Sequence, residues 1–145
     1  LHVAVRESLY CPIYTLMPDH AHLLWMGLNE GSDRRLGTQF LRRQLAPFLK
    51  PFLWQHQPFD CVLRADERQP QALAATINYI AENPVRANLV NDAKEWRFTG
   101  SVVPGYPQLH PLAEDFWGKY WRFYTAMVAR GTLGKLAFDD SSPAA

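Results

Sequence analysis

Tyr14-Thr15-Leu16-Met17-Pro18-Asp19-His20-Ala21-His22-Leu23-Leu24-Trp25 is the stretch whose reading decides the fold. Successive side chains of a strand point to opposite faces, so His20 and His22 share one side while Ala21 takes the other. Apolar residues flank the pair, as a strand inside a covered sheet requires. Two imidazoles held side by side on a rigid strand make half of a divalent-metal site. The other half must come from elsewhere in the chain.

The chain has 145 residues, the size of one domain able to bury about 68–70% of its unfolded surface. Its formal charge is only +1, so no global field draws it to nucleic acid. Local charge says more: Arg34, Arg35, Arg42, Arg43 and Lys50 occupy a stretch with no Asp or Glu between them. Cys11 and Cys61 form neither a disulfide framework nor a Cys-x-x-Cys, which reads as reduced thiols in a cytoplasmic protein. No apolar run approaches the ~18 residues of a membrane span, and no signal-peptide pattern is expected. Leu1, Ala4, Val5 and Leu9 have helical spacing from the first residue, so we expect the natural protein to extend further N-terminally.

Residues 1–9 are expected to end an amphipathic helix, with strands over Cys11–Met17 and His20–Gly27 joined at Pro18-Asp19 by either a tight hairpin or a bulge. Ser32 or Asp33 suits an N-cap. The helix that follows places Leu36, Phe40, Leu41, Leu45, Phe48 and Leu49 on one stripe, and Pro47 and Pro51 bend or end it. Phe59–Arg64 reads as a short strand. Pro70 suits a helix start, Leu73, Ala74, Ile77 and Ile80 give helical periodicity, and Pro84 ends the helix at Asn83 by biasing it away from the α region. A loop-rich stretch with Pro104, Gly105, Pro107 and Pro111 leads to an aromatic helix over about 113–129. The domain reads as residues 1–130, with a disordered tail over 131–145.

The second half of the site lies in Ile77-Asn78-Tyr79-Ile80-Ala81-Glu82-Asn83-Pro84. Tyr79 and Asn83 are four apart and share a helix face. Two imidazoles, one amide oxygen and open positions for phosphate oxygens suit Mg²⁺ or Mn²⁺. A tyrosine is a covalent nucleophile whose phenol is too weak an anion at neutral pH without such a cation. The constellation reads as transesterification of a phosphodiester through a phosphotyrosine.

Met-Pro-Asp-His-Ala-His-Leu-Leu at 17–24, Phe-Asp-Cys-Val-Leu-Arg at 59–64 and Tyr-Ile-Ala-Glu-Asn-Pro-Val-Arg-Ala-Asn-Leu-Val at 79–90 resemble the single-tyrosine transposases of the HUH endonuclease superfamily. The likeness, over about residues 10–100, is greatest to the REP-associated tyrosine transposases. It implies an α+β fold, a ferredoxin-like sandwich with an antiparallel sheet, helices on one face and a C-terminal helical extension. It also implies metal-dependent nicking and joining of single-stranded DNA beside a hairpin, with a 5′-phosphotyrosine on Tyr79 and a free 3′-OH. The metal ligands carried over are His20, His22 and Asn83, at the position where many insertion-sequence members have Gln. The family's first strand and N-terminal signature have no counterpart here.

Plainer readings stand beside these. A buried His is ordinarily a satisfied polar residue, Tyr79 a packing ring with a wet hydroxyl, and Asn83 a helix C-terminal residue. Asp19 is expected to face away from His20, and Glu82 lies off the Tyr79 line. A single-stranded or hairpin partner needs cationic rails, which assigns Arg34, Arg35, Arg42 and Arg43 to phosphate contact, with Arg64 and Arg86 as clamps near the site. Trp117, Tyr120, Trp121, Phe123 and Tyr124 read as core packing. The competing function is a non-catalytic hairpin-binding descendant. A nucleotide hydrolase of the histidine-triad type wants a third alternating histidine, and position 24 is Leu24. A monomer and a homodimer both remain open.

Overall fold

A computed structural model describes residues 8–29, 31–55 and 70–131. These residues form an α+β arrangement, a three-stranded antiparallel sheet with four α-helices. Strand β1 (Leu9–Leu16) is central, between β2 (Ala21–Gly27) and β3 (Thr99–Val102). The helices are α1 (Arg34–Leu45), α2 (Pro70–Ala81), the single turn α3 (Asn83–Arg86) and α4 (Phe116–Ala129), with 3₁₀ turns at Ala46–Phe48 and Ala93–Glu95. The predicted strand at 59–64, Arg64 within it, the first seven residues and the tail from 132 lie outside the described residues.

The β1–β2 junction is a hairpin. Met17 N–H donates to the His20 carbonyl at 2.8 Å, leaving Pro18-Asp19 as a two-residue loop, and Leu16 stands opposite Ala21. Further along, Tyr10 pairs with Met26 but Ile13 pairs with Leu24, so β1 spends two residues, Cys11 and Pro12, where β2 spends one. This is a β-bulge, and Pro12 fits it because it has no N–H to give the ladder. The bulge keeps Tyr10, Ile13 and Thr15 on one face although their spacing is not strictly two. Their cross-strand partners Met26, Leu24 and His22 lie on that same face.

That face carries the core. Leu73, Ile77, Ile80 and Ala81 of α2 and Phe116, Tyr120 and Phe123 of α4 pack with Tyr10, Ile13 and Leu24. The buried positions of α2 recur at i, i+4, i+7 and i+8, the stripe an amphipathic helix lays on a sheet. Tyr10 and Tyr120 bring their hydroxyls within 3.1 Å, satisfying two polar groups that burial would otherwise leave unpaired. The aromatic residues of α4 are core, as expected: Tyr120, Phe123 and Tyr124 are buried and Trp117 and Trp121 pack against them. The terminal helix is therefore built into the core rather than appended to it.

Four expectations are corrected. Helices do not all sit on one face: a Cβ on the buried Gly37 of α1 would stand 2.3 Å from Leu9 Cδ1, and Leu9 points away from the Tyr10 face. Leu9 begins β1 and does not end a helix. The α1 stripe is largely uncovered by the described residues, with Leu36 50% and Phe48 83% exposed. Residues 99–102, placed in a loop-rich stretch, form β3.

Candidate active site

His20 is the last residue of the hairpin loop side and His22 the second of β2, and both continue the face of Leu24 and Met26. Their Nε2 atoms are 3.0 Å apart, with ring planes at 83°. Asp19 does not face away: its carboxylate accepts from His20 Nδ1–H at 2.6 Å. The two-residue turn frees Asp19 from strand alternation, which is why the sequence pattern misplaced it. A carboxylate on Nδ1 fixes the tautomer and leaves His20 Nε2 as a lone pair, the arrangement that orients metal-binding imidazoles. His22 Nε2–H then donates to His20 Nε2.

The electrostatics agree with that assignment. The hydrogen bond with His20 holds the Asp19 carboxyl below its usual range. Partial burial, and then the neighbouring His20, hold His22 below the ordinary imidazole value, so it is neutral at pH 7. Opposite His22 lies the fully buried Thr15, whose hydroxyl meets that of Thr99 at 3.1 Å. His110 Nε2–H donates to the Thr99 carbonyl at 3.1 Å, and its Nδ1 accepts from Leu112 N–H at 3.2 Å, a structural role. The histidine pair thus stands on a polar seam that ties β1 to β3.

Tyr79 lies near the end of α2 with 55% of its surface exposed. Asn83 is not the last residue of that helix, as Pro84 had suggested. It opens α3, with Pro84 in the first turn where the missing N–H costs nothing. Asn83 Nδ2 donates to the carbonyls of Tyr79 (3.0 Å) and Ile80 (3.2 Å), which leaves Oδ1 as the atom able to take a cation. Arg86 Nη1 donates to the same Tyr79 carbonyl at 2.9 Å, and its Cζ stands 4.2 Å from the Tyr79 ring centroid.

A relay of contacts runs from α3 to the hairpin end of β1. α3 packs against the Ala93–Glu95 turn, the next residue Trp96 donates its indole N–H to the Leu16 carbonyl at 3.0 Å, and Leu16 is opposite Ala21. Among the described residues no hydrogen bond joins His20 or His22 to Tyr79, Asn83 or Arg86. Arg97, which the sequence reading passed over, stacks on Phe98 at 4.8 Å beside this end of β1. Adjacency to Trp96 was its only sequence signal.

The predicted arginines divide by position. Arg34, Arg35, Arg42 and Arg43 ride on α1, which meets β1 at Leu9, on the other face and about 23 Å along the strand from Leu16. Arg42 stacks on Trp54 and Arg43 on Phe40. Arg86 lies instead beside Tyr79.

The donor set fits a divalent cation. Two ligands on neighbouring corners of an octahedron with bonds of about 2.1 Å stand about 3.0 Å apart, and the Nε2 pair has that separation, both nitrogens becoming donors to a cation once the His22 proton moves to its Nδ1. No group of three or more His, Cys, Asp or Glu able to hold a metal occurs among the described residues. Comparison of the chain with protein-family models, with curated proteins and with solved structures finds no match.

Proposed function

We propose that the chain is a metal-dependent, single-tyrosine nuclease and strand-joining enzyme acting on single-stranded DNA beside a hairpin, a transposase of the REP-associated type. The observation that carries this reading is the Asp19–His20–His22 arrangement, with two imidazole nitrogens at ligand spacing and one oriented by a carboxylate. The phenol of Tyr79 and the amide oxygen of Asn83, on the α2–α3 junction, would supply the other half. An antiparallel sheet with α2 and α4 on one face supports a ferredoxin-like arrangement for the whole domain.

His20, His22 and Asn83 would hold Mg²⁺ or Mn²⁺, which supplies neutralising charge for the phosphoryl oxygens and the departing oxygen. The residues of the chain do the rest. Tyr79 Oη attacks the phosphorus, forming the Tyr–O–P bond as the P–O3′ bond breaks. The phenol proton ends on the released 3′-OH, and the DNA stays on Tyr79 as a 5′-phosphotyrosine. Reversal with a different 3′-OH joins strands, so no external energy source is needed. Asp19 holds His20 in the tautomer that presents Nε2. The α1 arginines, remote from the histidines, bind flanking DNA as rails. No helix among the described residues is long and apolar enough to cross a membrane, and a cytoplasmic site of action matches a DNA partner.

The test is incubation of the protein with a labelled hairpin oligonucleotide carrying a single-stranded flank, with Mg²⁺ or Mn²⁺. A denaturation-resistant adduct is expected, absent with Tyr79→Phe and with EDTA, while hairpin binding by Tyr79→Phe stays within about 2-fold because one hydroxyl is removed. An adduct that persists in Tyr79→Phe refutes the nucleophile. Hairpin binding without any adduct selects the non-catalytic alternative.

A further inference from the structure

Nothing in an exposed tyrosine fixes its ring. Tyr79 is 55% exposed on the outer side of α2, where an aromatic side chain ordinarily exchanges between rotamers on the ps–ns scale. For in-line attack, the oxygen must be held within a few tenths of an ångström of its reacting position. Something must restrain it.

We infer that Arg86 is the positioning residue of the Tyr79 nucleophile, its guanidinium stacked on the ring to hold the phenol and its remaining N–H groups receiving the phosphate that Tyr79 attacks. The inference rests on the transesterification reading given above. Its geometry is independent of that reading. Arg86 Cζ lies 4.2 Å from the ring centroid, well inside the ~6 Å range of cation–π attraction. The same guanidinium spends one N–H on the Tyr79 carbonyl at 2.9 Å, so backbone and ring of one residue are gripped together. Arg has five N–H donors in a planar fork, and the others suit a phosphate bidentately.

The arm that carries Arg86 is itself fixed. Arg86 N–H donates to the Glu82 carbonyl at 3.0 Å and Ala87 N–H to Asn83 at 2.9 Å, closing the single turn of α3. Asn88 follows with φ of 55°, the left-handed residue that stops a helix. Asn83 shares the Tyr79 carbonyl with Arg86, at 3.0 Å and 2.9 Å. One carbonyl oxygen therefore indexes the phenol, the amide oxygen and the guanidinium to one another. Lysine at 86 would keep the charge but lose the planar stack and the fork.

Single-turnover adduct formation on the hairpin oligonucleotide, at saturating DNA, tests this with the full chain, Arg86→Lys and Arg86→Ala. Thermal unfolding checks that each variant is folded. Arg86→Lys is expected to bind the hairpin within about 2-fold of the unaltered chain, since the charge stays, yet form adduct about 10-fold more slowly. Arg86→Ala is expected to be slower still and to be partly rescued by guanidinium at tens of millimolar, an effect that a merely structural role would not produce. An Arg86→Lys rate equal to that of the unaltered chain overturns the inference and leaves the transposase reading standing, as does an Arg86→Ala loss explained wholly by weaker DNA binding. No adduct from the unaltered chain overturns the transposase reading itself and this inference with it.

Discussion

Replacing Asn83 by Asp separates the quality of a metal ligand from the needs of the fold. A carboxylate is the stronger ligand for Mg²⁺, and by ligand chemistry alone the variant should gain. The structure argues the opposite. Asn83 Nδ2 donates to the carbonyls of Tyr79 and Ile80, at 3.0 Å and 3.2 Å. Asn83→Asp removes both donors and turns an anion toward two carbonyl oxygens at the negative end of α2. Two partly solvated hydrogen bonds are worth about 1–2 kcal/mol together, and the helix-dipole penalty adds about 0.3–1 kcal/mol. Arg86 beside the same carbonyl offsets part of this. A net loss of about 1–2 kcal/mol follows, or about 2–8 °C in Tm for a domain of this size. Denaturant unfolding of the unaltered chain, Asn83→Ala and Asn83→Asp with EDTA present reads the number directly. Asn83→Asp should be the less stable of the two variants, and added Mg²⁺ should narrow the gap between them. Equal midpoints for all three proteins would show that the amide is not spent on those carbonyls, and the orientation assigned to Oδ1 would fall.

Two further outcomes follow from the core. Gly100→Ala would bring a Cβ to 2.5 Å from Tyr14 Oη and 2.7 Å from its Cζ; moving the ring aside should cost about 1–3 kcal/mol, and the penalty should vanish in a Tyr14→Ala background, which unfolding of the double mutant checks. Burial pushes the Cys11 thiol up to about 12 and holds the Tyr10 and Tyr120 phenols above their usual value. Because these groups are raised in the folded state, the stability they contribute is whole below about pH 9 and is lost as pH climbs toward 12. Urea midpoints should fall across that window, and Cys11 in a Cys61→Ser background should resist iodoacetamide at pH 9 until the chain opens. Native-state labelling at the rate of a free thiol would contradict its burial.

What the sequence carried, it carried through periodicity. The alternation of His20, His22 and Leu24 put the histidines on the helix-covered face, and Leu73, Ile77 and Ile80 marked the buried stripe of α2. Where both faces of an element are covered, the period disappears. Leu9, Tyr10, Cys11, Pro12 and Ile13 are all buried, so the start of β1 has no alternation to read and the spacing of Leu9 from Val5 imitates a helix. β3 is four residues with a glycine, and its stability comes from partners distant in sequence: the Thr15–Thr99 hydroxyl pair and the Tyr14 ring over Gly100. Local propensity holds no record of such partners. Asn83 misled for a related reason. Proline disfavours the α conformation before it, yet Glu82 and Asn83 continue a nearly helical path because Arg86 and Ala87 return hydrogen bonds to their carbonyls. The roles of Asp19 and Arg86 depend on a tight turn and on a second short helix, and neither registers as a motif.

The bulge that takes up the extra residue of β1 at Cys11–Pro12 determines which hydroxyl lies across from His22. With it, the alcohol of Thr15 stands across from His22 and the phenol of Tyr14 lies on the far side against Gly100. Pairing the strand as a regular ladder there, with its first pairings and all its residues kept, would slide everything downstream by one and bring the Tyr14 phenol opposite His22. Under the transesterification proposed above, a rival phenol would then stand beside the histidines. The bulge is thereby under a chemical constraint as well as a packing one: removing one of its two residues keeps Thr15 across from His22, whereas drawing both into a regular ladder does not.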